Sequence, residues 1–230
     1  MADEILNSLR KIGLKFNDLS LLKTAFTHRS YLNEFKDAKE SNERLEFLGD
    51  VVLSFIVSST LFKLRLKDNE GDLTNLRSYI VKTSSLAEAS RKLNLGKYLR
   101  LSRGEESGGG RTSTQLLANT FEAFLGALFL DQGIEAAKKL VDSVLLPSFQ
   151  KELQSGPPKD NKSALQEIVQ EKTKRSPIYK IIRSLGPDHA RRFLVGVYIG
   201  GKEMGRGEGH SKQIAEEEAA EKALIKITNS

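Results

Sequence analysis

Three carboxylates open the reading: Glu43, Glu46 and Asp50, spaced i, i+3 and i+7 in the run Asn42-Glu43-Arg44-Leu45-Glu46-Phe47-Leu48-Gly49-Asp50. At 100° per residue they fall within about 60° of one another on one helical face. Leu45, Leu48, Val51, Val52 and Phe55 make most of the remaining surface apolar. A second acidic position lies in Leu116-Leu117-Ala118-Asn119-Thr120-Phe121-Glu122-Ala123-Phe124-Leu125-Gly126, where Asn119 and Glu122 share a face of a segment apolar almost all round. An ionised carboxylate taken out of water costs several kcal/mol unless it is paired or binds a metal. Two readings follow. Either Glu122 pairs with a cation such as Arg77 or Arg44, or two facing helices collect a hard divalent cation through oxygen ligands. On its own, the first acidic run also fits an ordinary solvated helix face.

The elements that must position these groups are helical as far as residue 153. The apolar period predicts a long helix from 42 to about 62. The segment Gln154-Ser155-Gly156-Pro157-Pro158-Lys159-Asp160-Asn161 then breaks the pattern, because two prolines and a glycine neither continue a helix nor donate to a sheet ladder. Beyond it the sequence predicts a helix over 163–172, strands over 178–184, 192–199 and 202–206, and a helix over 211–227 opened by Ser211. Gly200-Gly201 joins the last two strands as a two-residue hairpin turn. The expected fold is thus an all-α domain, 1–153, a flexible linker, 154–161, and a small α-β-β-β-α domain, 162–230.

Composition narrows the classes. The 230 residues include 36 Lys+Arg, 30 Asp+Glu and no cysteine, which excludes disulfide scaffolds, Cys-type zinc sites and thiol nucleophiles. By count, residues 1–157 carry 22 basic and 20 acidic side chains, a net +2, and residues 158–230 carry 14 and 10, a net +4. Most of the positive excess sits on the smaller piece, which favours an anionic partner there. The N-terminus is acidic, unlike a signal peptide. The apolar run over 116–130 is interrupted by Asn119 and Glu122 and is too short to span a bilayer. A cytoplasmic protein without a membrane partner is expected. The three histidines, His28, His189 and His210, show no Ser-His-Asp spacing. The Gly-rich stretch over 103–111 could cradle phosphate or serve as a mobile connector. It lacks the lysine and Ser/Thr of a P-loop, so no nucleotide cofactor is expected.

The runs over 42–50, 117–122 and 104–111, with Thr27-His28-Arg29-Ser30-Tyr31-Leu32-Asn33 and Glu70-Gly71-Asp72-Leu73-Thr74, resemble the bacterial ribonuclease III family. The resemblance covers nearly the whole chain and implies an endonuclease domain followed by a double-stranded-RNA-binding domain. It implies a homodimeric, Mg²⁺-dependent endoribonuclease, with Mn²⁺ substituting, that cuts double-stranded RNA. Its products would carry 5′-phosphate and 3′-hydroxyl ends, and its roles would lie in rRNA processing and mRNA turnover. By that resemblance Asp50 and Glu122 match the essential catalytic carboxylates. Glu46, Asp50, Asn119 and Glu122 match the metal site, Glu43 and Glu70 match auxiliary acids, and Phe47 matches an aromatic at the dimer interface. By the same resemblance the RNA-facing positions in the second domain would be Gln166 and Glu167 on the first helix, Pro187 and His189 in the loop after the first strand, and Ser211, Lys212 and Gln213 at the start of the last helix.

There are departures from the family pattern. Asn119 stands where the family usually has an aspartate ligand; its amide oxygen could still reach a metal, but one negative charge is lost. That leaves an alternative, a catalytically attenuated or inactive RNA-binding dimer. Gln213 stands where a second lysine is common, which implies weaker RNA binding and a shallower salt slope. The neighbouring Glu216-Glu217-Glu218 reads as a solvated helix face. A DNA-binding protein would need an element for the major groove, and none is evident.

Overall fold

The computed structural model describes residues 6–7, 9–10, 13–157, 160–187 and 191–228. The chain divides into two compact units, 1–157 and 158–230.

In the first unit every named element is a helix. Short helices α1 (Leu19–Ala25) and α2 (Arg29–Glu34) precede the 22-residue α3 (Glu43–Leu64). Then come α4 (Glu70–Ile80), α5 (Thr83–Lys92), α6 (Arg103–Ser107), α7 (Thr114–Gln132), α8 (Ile134–Leu140) and α9 (Gln150–Ser155). Side-chain oxygens cap several starts: Asp18 accepts from Ser20 and Leu21 N–H, Asn69 from Asp72 N–H, and Ser113 from Leu116 N–H. α9 runs helical to Ser155, and Gly156 follows with φ 84°, a left-handed stop.

α3 and α7 form the centre of this unit. They share one buried core, to which α3 brings Leu53, Ile56, Val57 and Leu61 and α7 brings Phe121, Phe124, Leu125 and Leu128. The two helices touch main chain to main chain. A Cβ on Gly49 would sit 1.8 Å from the Glu122 carbonyl oxygen, and one on Gly126 would sit 2.3 Å from that of Leu45. No other residue fits at either position without moving a helix. Phe16, Phe26 and Tyr98 extend the core around Phe124, with ring centroids 5.6–6.0 Å apart.

By length and composition α3, with mean hydropathy 1.7 over its best window, is apolar enough to cross a membrane. The sequence draws attention to 116–130 for such a segment and not to this one. Leu45, Val52, Leu53, Ile56, Val57 and Leu61 are buried in the domain core, so α3 is a core helix.

The second unit contains α10 (Asn161–Thr173), a three-stranded antiparallel sheet and α11 (Lys212–Thr228). β1 (Ile178–Leu185), β2 (Arg192–Ile199) and β3 (Lys202–Gly209) lie in sequence order. Ile178 pairs with Tyr198 and Phe193 with Gly209, and Gly200 and Gly201, both at positive φ, close the hairpin. Strand β3 runs three residues beyond the expected end. Alternating glycines there let α11 lie directly on the strand: a Cβ on Gly207 would come within 2.2 Å of the Ala215 carbonyl oxygen. Leu165, Val169, Val197, Ala219, Ala220 and Ala223 make the core.

The Glu216-Glu217-Glu218 run is not a solvated face. All three are half-buried: Glu216 pairs with Lys162 at 2.5 Å, Glu217 accepts from the Asn161 N–H at 2.9 Å, and Glu218 accepts from the Glu208 N–H at 2.7 Å. The acids fasten α11 to the start of α10 and to β3, so the helix turns them inward.

Candidate active site

The acids in the N-terminal part of α3 meet the middle of α7 across the glycine crossing. Because Gly49 lies against the Glu122 carbonyl, Glu46 and Asp50, on either side of it along α3, face the side chains that α7 projects at the same level. The start of α3 is pinned by buried Asn42, whose side-chain amide donates to the Ala25 carbonyl at 3.3 Å and whose backbone N–H donates to the Thr27 carbonyl at 2.8 Å. Thr27 is fixed in turn by Arg100, which donates to its Oγ1 at 3.0 Å, lies over the Tyr31 ring at 4.1 Å and pairs with Asp37. The segment carrying His28 and Arg29 is thereby held beside the acids.

A pocket of about 570 Å³ results, lined by Glu43, Glu46, Asp50, Asn119 and Glu122 together with His28, Arg29 and Thr120. The structure thus brings together four sequence-selected donors and Glu43. Phe47 stands at the rim, 76% exposed. Glu70 does not join them: it opens α4, accepts from Thr74 Oγ1 at 3.1 Å, and lines a separate cavity with Ser58, Phe62 and Arg77.

Neither arginine offered as a partner neutralises Glu122. Arg77 donates to Ser58 Oγ at 3.2 Å, and Arg44 lies 4.0 Å from Glu40. The electrostatics of the pocket are therefore those of like charges crowded together. Burial, then the charges of Asp50 and Glu46, pushes the Glu122 carboxyl up to about 7. Burial and the Glu43 charge raise Glu46; hydrogen bonding from the Asn119 side chain works the other way, and Asp50 adds a further upward push. Among the described residues no three acidic or imidazole side chains stand together as a finished metal cage. The donor chemistry nevertheless suits a hard divalent cation. Three carboxylates and one amide, each with an oxygen able to ligate, line one pocket, and among the described residues none of the three carboxylates has an ion-pair partner; Arg29, at the same pocket, is held by Glu43 at 3.2 Å.

Three features of the site are given no role by the sequence. Gly49 and Gly126 set the helix spacing. His28 and Arg29 form the opposite wall. Gln115, four residues before Asn119 on α7, donates from Nε2 to Asn119 Oδ1 at 2.7 Å; its i, i+4 spacing is the available signal. The Gly-rich stretch is an ordered segment rather than a loose connector. It forms α6 and a 3₁₀ turn (Gly110–Thr112), and Arg111 locks it by donating to the carbonyls of Gly96, Lys97 and Leu99 at 2.8–3.1 Å.

In the second unit Gln166 and Glu167 are exposed on α10, and Pro187 is exposed just beyond β1. Ser211 Oγ accepts from the Ile214 N–H at 3.3 Å and caps α11, leaving Lys212 and Gln213 exposed in its first turn. His189 lies outside the described residues.

Comparison with known proteins bears on both units. A family model described as ribonuclease-III-like matches residues 18–149, and one described as double-stranded RNA binding motif matches 161–227. The chain is 47% identical over 213 residues to Ribonuclease 3 of Lactococcus lactis subsp. cremoris, covering 92% of each chain. It is 45% identical over 223 residues to Ribonuclease 3 of Enterococcus faecalis, covering 94% of each. The nuclease domain of the ribonuclease III of Campylobacter jejuni, a solved structure whose description concerns a flexible region involved in dimer formation, superposes with a TM-score of 0.59. It shares 38% identity over 65% of this chain and 99% of that one.

Proposed function

The chain belongs to the ribonuclease III family, and from that premise we propose that the pocket between α3 and α7 is the catalytic centre of this double-stranded-RNA endoribonuclease. The observation that carries the assignment is the meeting of Glu46, Asp50, Asn119 and Glu122 in one pocket, where among the described residues none of the three carboxylates has an ion-pair partner. The family is divalent-metal-dependent; Glu46, Asp50, Asn119 and Glu122 would hold the ion, Mg²⁺ with Mn²⁺ as substitute. When bound, such an ion lowers the pKa of water and neutralises charge on the phosphodiester undergoing in-line displacement.

The protein's own side chains do the rest. Burial and the charges of Asp50 and Glu46 push the Glu122 carboxyl up to about 7, so binding of a cation there would displace a proton near neutral pH and leave Glu122 as an ionised ligand. Without a cation, the acid cluster repels the RNA backbone, so productive docking waits on neutralisation. Arg29, on the facing wall, can turn from Glu43 to a phosphate oxygen. Asp50 is exposed at the pocket mouth, where substrate enters. Glu43 acts as an auxiliary acid through its effect on Glu46; Glu70, whose family match is to an acid that tunes the site or contacts RNA, lies outside this pocket.

The second unit binds the duplex by shape. Gln166 and Glu167 would reach one minor groove and the Pro187–His189 loop the next, with Ser211, Lys212 and Gln213 toward the phosphates between. We assign 1–153 to catalysis, 154–161 to the linker and 162–230 to RNA binding. The apolar stripe of α3, Phe47, Val51 and Phe55 at i, i+4 and i+8, each more than half exposed, suits burial against a second copy, which supports a homodimer. Cytoplasmic work on rRNA precursors and mRNA, yielding 5′-phosphate and 3′-hydroxyl ends, completes the reading.

Incubating the protein with a long RNA duplex, with Mg²⁺ or with Ca²⁺, tests it. Cleavage in Mg²⁺ that is lost in Glu122→Gln is expected. Duplex binding without cleavage at any Mg²⁺ concentration would instead favour the inactive-dimer alternative.

A further inference from the structure

Gln115 is exposed in the first turn of α7 and enters none of the roles above, yet it makes a short polar contact to one of the oxygen donors of the pocket. Its Nε2–H donates to Asn119 Oδ1 at 2.7 Å. An amide offers one acceptor and one donor group, and an ionised carboxylate only accepts. With Oδ1 engaged by Gln115, the group Asn119 has left to turn toward Glu46 is Nδ2–H, and hydrogen bonding from the Asn119 side chain works to hold the Glu46 carboxyl down. The hydrogen bonds therefore run in one direction, from Gln115 through Asn119 to the carboxylate of Glu46. In this arrangement the Asn119 oxygen, the only atom of that side chain able to ligate a hard cation, is taken up by Gln115.

We propose that Gln115 is a positioning residue that sets which atom of the Asn119 amide faces the carboxylates. Gln115 can serve both orientations because it too carries a donor and an acceptor. When Nε2 donates, Asn119 presents N–H to Glu46 and holds the acid cluster together without an ion. When both amides turn over, Gln115 Oε1 accepts from Asn119 Nδ2, and Oδ1 is presented to the pocket. An aspartate in place of Asn119 would need no such turnover, since both its oxygens accept. The pair thus replaces a permanent ligand with one that must be turned into place, and the inference rests on the metal-site reading above.

The test is a double-mutant cycle read by Mn²⁺ binding, followed by electron paramagnetic resonance of the free ion, on the full-length protein without RNA. Gln115→Glu leaves only an acceptor at this position and sits in the first turn of α7, where an added acid suits the helix dipole and folding. With Asn119 in place it should hold Nδ2 outward and Oδ1 inward, tightening Mn²⁺ about tenfold. In an Asn119→Asp background there is no N–H to orient, and the two introduced carboxylates face each other as like charges. There the same substitution should tighten Mn²⁺ by no more than about twofold. A role through added charge alone would tighten both backgrounds equally, and that result overturns the proposal. Gln115→Leu, uncharged and unable to favour either orientation, should stay within about threefold of the parent; a tenfold tightening on its part would also overturn it. Failure of the parent to bind Mn²⁺ at all, or binding that survives Glu122→Gln unchanged, would refute the metal site itself, a result distinct from a cycle without coupling.

Discussion

Replacing Glu122 by glutamine keeps the size of the side chain and removes one of the charges crowded at the α3–α7 crossing. In the folded protein the Glu122 carboxyl is pushed from its ordinary 4.5 up to about 7, by burial first and then by Asp50 and Glu46. A group whose folded pKa exceeds its unfolded one leaves stability untouched below the unfolded value. Stability then falls as the pH rises between the two, and the full cost is present above about 7. At 1.36 kcal/mol per pKa unit the rise corresponds to about 3 kcal/mol, and partial solvent access brings the expected figure to about 1–3 kcal/mol. For a domain of this size that is a shift of roughly 3–8 °C in melting temperature. Glu122→Gln in EDTA should therefore melt higher than the parent at pH 8 and match it at pH 4.5. Saturating Mg²⁺ should reverse the order at pH 8, because a ligand of the native state stabilises only the protein that binds it. Thermal unfolding followed by circular dichroism at the two pH values decides it. An offset of equal size at both pH values would refute the idea that like charges and burial strain this carboxyl.

Gly49→Ala would drive a methyl group into the Glu122 carbonyl; a loss of about 3 kcal/mol or more in urea unfolding, with weakened Mn²⁺ binding, is expected. Arg111→Ala should cost about 2–4 kcal/mol by freeing three carbonyls, and Arg111→Lys should recover only part, since lysine lacks the planar fork. Lys212→Ala should weaken duplex RNA binding and lower the salt slope by about one, as filter binding across a salt series would show. Phe55→Glu, on the exposed stripe of α3, should give monomers in analytical ultracentrifugation while the melting of the single domain changes little.

How much of the site could be read in the residues depends on whether a local pattern or a tertiary contact carries the information. Glu46 and Asp50 declare themselves by helical spacing, and Glu122 by being an acid in an otherwise apolar segment, so their meeting could be anticipated. Gly49 and Gly126 could not be singled out, because a helical glycine reads as a local weakness until another backbone is seen against it. The Gly-rich stretch misled for the opposite reason. Its glycines suggested a loose loop, but the distant carbonyls that Arg111 reaches make it rigid. Glu216, Glu217 and Glu218 looked solvated because acids on helices mostly are; Lys162 and two backbone N–H groups, distant along the chain, give them partners. Glu70 sits in a motif of the right kind, yet helix α4 carries it to a different cavity. The second domain was legible almost element by element, since its hairpin glycines and alternating strands are local signals.

The glycine crossing has a consequence for which ions the pocket can use. Main chain resting on main chain is a hard stop: α3 and α7 cannot draw closer, and the interlocked leucines and phenylalanines behind them resist spreading. A jaw of fixed opening measures what it grips. Mg²⁺ asks for oxygens at about 2.0–2.1 Å in near-octahedral order, whereas Ca²⁺ asks for more of them at about 2.3–2.6 Å and needs a frame that dilates. Two residues with no side chain thereby fix the spacing of the helices that carry Glu46, Asp50, Asn119 and Glu122, and under the proposed metal role a looser contact there would be expected to widen the range of cations accepted.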